Sequence, residues 1–124
     1  MPIPILRQGN VLIVSIQAAL TDRDLRQLQD DVADQIGRVR AAGVVIDISA
    51  LDVMDSFATR TLRGIAESTK LRGAKTIVVG IQPDVAFAMV QLGLTLEGVA
   101  TALDLDEGLA FVTHSARESA SRAG

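Results

Sequence analysis

Hydrophobic and polar positions along the chain follow two periods, one of about two residues and one of between three and four. Two short apolar runs, residues 3–6 and 11–16, flank Arg7-Gln8-Gly9-Asn10. That tetrad is rich in turn formers, so the opening segment predicts a hairpin. Pro2 and Pro4 put its first run at a sheet edge, because proline has no N–H to give to a ladder. Leu25, Leu28, Val32, Ile36 and Val39 then recur at helical steps, with Asp30, Asp31, Asp34 and Arg38 largely opposite. Thr21 or Asp22 is the expected cap of this helix and Gly43 its expected end. Gly37, inside it, costs about 1 kcal/mol relative to alanine.

Val44-Val45-Ile46-Asp47-Ile48 is a β-branched run suited to a buried parallel strand. Leu62, Ile65, Ala66 and Thr69 line a second helix, whose opposite stripe carries Arg60, Arg63, Glu67 and Lys70, and Gly73 closes it. Residues 76–79 predict another buried strand. Gln82-Pro83-Asp84 opens a third helix that ends by Gly93, with proline in the first turn and an acid favouring the dipole. A short strand is expected near residues 99–100, and Asp104 is the expected cap of a last helix reaching about Val112. Strands alternating with helices predict an α/β domain, with a mostly parallel mixed sheet of four or five strands and helices packed against it. The domain is expected over residues 1–114, with 115–124 a small, polar, flexible tail.

Composition narrows the function. A chain of 124 residues, 48% hydrophobic, suits one folded domain. Aromatic residues make up only 2%, with no Trp or Tyr, so Val, Ile, Leu and Ala must build the core. There is no aromatic platform for nucleobases, and the net charge is −3, which together count against nucleic-acid binding. Cysteine is absent, which removes disulfides, thiol catalysis and thiolate metal sites. No stretch reads as a targeting signal or a membrane span, so a soluble cytoplasmic protein is expected.

The chemistry concentrates at Asp55-Ser56, between the strand at 44–48 and the second helix, with Asp47 and Asp52 near in sequence. A hydrolase reading would need Ser56 as nucleophile, His114 as base and an aspartate to orient it. The chain has no G-x-S-x-G elbow, and its one histidine lies near the C-terminal end. One histidine without cysteine leaves only carboxylates for a metal. Asp104, Asp106 and Glu107 lack calcium-loop spacing and suit a helix start. Gly80-Ile81-Gln82-Pro83 lacks the glycine spacing and the lysine of a phosphate loop. No catalytic residue, metal or cofactor is therefore expected. Ser56 reads equally as a helix N-cap or, if Asp55 caps instead, as an exposed hydroxyl open to modification. Met54 and Phe57, flanking the pair, suit either core anchors or a docking surface.

A specific pattern then appears: Val44-Val45-Ile46-Asp47-Ile48-Ser49, Met54-Asp55-Ser56 before a helix, and Lys75-Thr76-Ile77-Val78-Val79-Gly80. Over roughly residues 3–114 the chain resembles the STAS-domain family of bacterial anti-sigma-factor antagonists. Asp55-Ser56-Phe57, together with Gly80-Ile81-Gln82-Pro83, resembles the RsbS type, the small scaffolds of the stressosome. The resemblance implies phosphorylation of Ser56 by a switch serine/threonine kinase of the RsbT type. It also implies a partner surface at Asp55, Phe57, Thr59, Arg60 and Arg63. The other partners implied are RsbR-like sensory STAS co-antagonists, a phosphatase that reverses the modification, and further copies of the chain. Simple antagonists of the family usually carry Asp-Ser-Ser-Gly or Asp-Ser-Thr-Gly and modify the second hydroxyl. Phe57 stands at that position here and cannot accept phosphate. A simple antagonist that binds an anti-sigma kinase, and a ligand-binding or transporter-associated STAS subunit, are the two other readings the resemblance leaves open.

Overall fold

The computed structural model describes residues 3–123. The expected hairpin is β1 (Ile5–Gln8) paired antiparallel with β2 (Val11–Ser15), turning through Gly9 at φ +61°. Pro4 precedes β1, which is an edge strand, while Pro2 lies outside the described residues. There follow α1 (Asp22–Val39), β3 (Gly43–Asp47), α2 (Ser56–Leu71), β4 (Lys75–Val79), α3 (Pro83–Gln91), β5 (Ala100–Ala102) and α4 (Leu105–Ala123). The sheet runs β1-β2-β3-β4-β5 in space, and every pair after the first is parallel. This is the α/β architecture expected, with five strands.

Each strand feeds two faces because its side chains alternate. Leu12, Val14, Val44, Ile46 and Val78 point to one side. There they meet Leu28, Val32 and Ile36 of α1, Leu62 and Ile65 of α2, and Val85 and Met89 of α3. Val11, Val45, Ile77 and Val79 point to the other, where Val112 of α4 closes a smaller core flanked by Leu105, Leu109 and Phe111. The fit of α4 is close. A Cβ built on Gly108 would stand 2.8 Å from Val79 Cγ1 and 3.1 Å from Val45 Cγ1.

Thr21 caps α1: its hydroxyl accepts from the Asp24 N–H (3.1 Å), and Asp24 accepts from the Thr21 N–H (3.2 Å). This capping box holds the Asp24 carboxyl below its ordinary pKa, through the Thr21 hydroxyl first and the Thr21 backbone second. Two expected boundaries differ. Helix α1 ends at Arg40, which itself takes the left-handed conformation (φ 49°), while Gly43 is buried as the first residue of β3. Helix α4 does not stop near Val112 but continues to Ala123, so residues 115–123 of the expected tail extend the last helix. No helix among the described residues is long and apolar enough to cross a membrane.

Candidate functional site at the corner between β3 and α2

After Asp47 the chain leaves the sheet through a loop held from several directions. Ile48, Leu51 and Met54 are buried in the core, which settles Met54 as an anchor, while Val53 between them is exposed. The Ile48 N–H donates to the Val79 carbonyl (3.0 Å), and Asp47 Oδ1 accepts from the Ser49 N–H (2.9 Å). From the far side, Gln82 Nε2 donates to the Ser49 carbonyl at 2.7 Å. Gly80 makes this approach possible. It has φ +78°, and a Cβ there would lie 2.7 Å from Ser49 Cβ and 3.1 Å from its backbone nitrogen. Only glycine meets both conditions without displacement.

Helix α2 then begins. Asp55 is extended (φ −88°, ψ 178°), and its Oδ1 accepts from the Ala58 N–H at 2.7 Å. The cap is therefore Asp55, and Ser56 is the first helical residue, exposed and not required for capping. Arg60 and Arg63 lie four and seven residues on, exposed on the same stripe. Phe57 is half-buried, with the Arg26 guanidinium of α1 5.5 Å from its ring centroid. Thr59 does not join them. It is 2% exposed, and its hydroxyl donates to the Asp55 carbonyl at 2.9 Å, so it lies behind the surface rather than on it. On the other side of the loop, Ile16, Leu20, Leu25, Leu51, Met54 and Ala58 surround an apolar cleft of about 60 Å³.

The structure separates the groups of the hydrolase reading: His114 belongs to α4, in the layer across the sheet from α2. Asp104 and Glu107 are accounted for by helix capping, and Asp106 lies in the first turn of α4. Asp104 Oδ1 accepts from the Glu107 N–H (3.0 Å), and Glu107 accepts from the Leu103 N–H (2.8 Å). Among the described residues no group of three or more acids and histidines is placed to hold a metal ion. Arg26 and Gln82 were not foreseen at the corner. Periodicity places Arg26 only on the polar side of α1, and Gln82 shows in the sequence as a helix start and within Gly80-Ile81-Gln82-Pro83, neither of which puts its amide on this loop.

A family model described as the STAS domain matches residues 2–108. The structure of Moorella thermoacetica RsbS, in a variant with glutamate replacing a serine, superposes with a TM-score of 0.80. The two are 38% identical, and the match covers 93% of this chain and 97% of that one. A chain from the structure described as the molecular architecture of the stressosome, a signal integration and transduction hub, gives a TM-score of 0.76 at 40% identity. That match covers 92% of this chain and 99% of the other. The Bacillus subtilis RsbT co-antagonist protein RsbRD is 32% identical over 85 residues, which are 68% of this chain but 31% of that protein. The chain thus spans less than a third of that curated relative's length. With the five-stranded sheet and the Asp55-Ser56 corner in place, the chain belongs to the STAS-domain family.

Proposed function

We propose that this chain is a non-enzymatic scaffold subunit of a stressosome-type complex in the cytoplasm. In this reading it holds a switch serine/threonine kinase of the RsbT type and releases it when that kinase phosphorylates Ser56. RsbR-like sensory STAS proteins and further copies of the chain are its assembly partners, a phosphatase resets it, and the freed kinase activates a stress-response pathway. The observation that carries the reading is the exposed Ser56 hydroxyl at the first position of α2, with the capping role already taken by Asp55. Likeness to RsbS over nearly the whole of both chains supports it.

The kinase supplies ATP, magnesium and the base. Ser56 Oγ attacks the γ-phosphorus as the bond to the ADP oxygen breaks, and the Ser56 proton passes to the kinase's base. The product carries about −1.5 to −2 charges at neutral pH where a neutral hydroxyl had faced the partner. Desolvating that charge at the contact costs about 2–5 kcal/mol, which weakens binding tens- to thousands-fold.

Phosphopeptide mapping after incubation with the kinase is expected to find Ser56 modified and the buried Thr59 untouched. Ser56→Ala should keep the kinase bound, and Ser56→Asp should hold it poorly in a pull-down. Phosphate elsewhere with Ser56 free, or equal retention by the two variants, overturns the reading.

A further inference from the structure

We infer that Arg60 is the intramolecular counter-ion of a phosphate on Ser56, so that modification withdraws a cation from the docking surface while adding an anion to it. The inference rests on the reading of Ser56 as the phosphoacceptor and concerns what the rest of the chain then does. Ser56 and Arg60 stand four residues apart within one continuous helix, which brings their Cβ atoms to about 5–6 Å. The acid would be N-terminal to the base, the better orientation for such a pair. Arg60 is exposed, and no ion pair holds it among the described residues.

The neighbouring charges single it out. Arg63 is seven residues on, about 10 Å further along the axis, and beyond direct reach. Arg26, on α1, has its guanidinium over the Phe57 ring, 5.5 Å from the centroid. Asp55 caps the helix through Ala58, and Asp52 sits on the preceding loop, so both add negative charge at this end of α2. Arg60 shares a groove with Arg63, Glu67 and Glu97. Exposed and held by no ion pair among the described residues, its guanidinium is available in the unmodified chain to an acidic group on a partner. Once Ser56 carries phosphate, the same guanidinium turns one helical turn back to it. The partner then faces a new anion and has lost a cation as well.

The test uses the full chain with phosphoserine installed at position 56 during translation, which bypasses any kinase. Titration by phosphorus NMR reads the second pKa of the phosphate, about 6 without a partner. Arg60→Gln is expected to raise that value by about 0.3 relative to the parent, the size of one exposed helical ion pair. Arg60→Lys should restore most of the difference, and Arg63→Gln should leave the value where it was. An unchanged titration in Arg60→Gln, or an equal shift in Arg63→Gln, overturns the pairing without touching the kinase reading. A map that finds Ser56 unmodified by the kinase removes that reading and leaves the pairing measurable.

Discussion

Asp55 and Ser56 divide the work at the start of α2, the carboxylate holding the helix and the hydroxyl facing out. Asp55→Ala removes the acceptor of the Ala58 N–H and should cost about 1 kcal/mol, read as a lower urea midpoint, whereas Asp55→Asn keeps most of the cap. A cost in Asp55→Ala no greater than in Asp55→Asn would show that Asp55 is not the cap. Both readings of Ser56 were visible in the sequence, because a serine beside an aspartate at a helix start can either cap or stand free. The choice depended on which oxygen reaches the Ala58 N–H, a matter of backbone angles at Asp55 that residue type does not specify. Thr59 was harder to read. A threonine four residues past the cap, directly before Arg60, looks solvent-facing until its hydroxyl is seen bonded back to the Asp55 carbonyl, which allows it to be buried.

Among the elements, two helical glycines should respond oppositely to alanine. Gly37, exposed in α1, has only Arg72 Nη1 within reach of a new Cβ, at 3.7 Å, so Gly37→Ala should stabilise by up to about 1 kcal/mol. Gly108 gains the same propensity but drives its Cβ into Val79 and Val45, whose branched side chains are themselves fixed in the sheet. Gly108→Ala should lower stability by about 1–2 kcal/mol net, overpacking outweighing propensity. Thermal or urea unfolding of both variants checks the pair, and a stabilised Gly108→Ala would show that α4 can lift from the sheet at little cost. Element types were largely legible, since Leu25 through Ile36 and Val44 through Ile48 carry unmixed periods. The ends were less so. Arg40 closes α1 in a left-handed turn that glycine would be expected to fill. The small residues beyond Val112 offer no apolar stripe, although several are good helix formers.

At the scale of the whole molecule, the fold leaves several apolar side chains outside both cores. Phe87, Val90 and Leu92, on α3 and just past its end, are 66–78% exposed, and Leu103 after β5 is 81% exposed. With the proposed assembly role, these surfaces lead us to expect a mass in light scattering above the 13.1 kDa of one chain, and much above it with sensory STAS partners. A single-chain mass at high concentration, with and without those partners, would contradict this. The corner that carries Ser56 also has a consequence for time. Its loop is fastened by Gln82, by the close approach of Gly80 to Ser49, and by three buried side chains, so little of it is free to rearrange. Under the proposed function, no slow change of shape then stands between modification and response. The delay before a signal appears is the lifetime of the kinase on its dock, and the persistence of the signal is the lifetime of one phosphate ester.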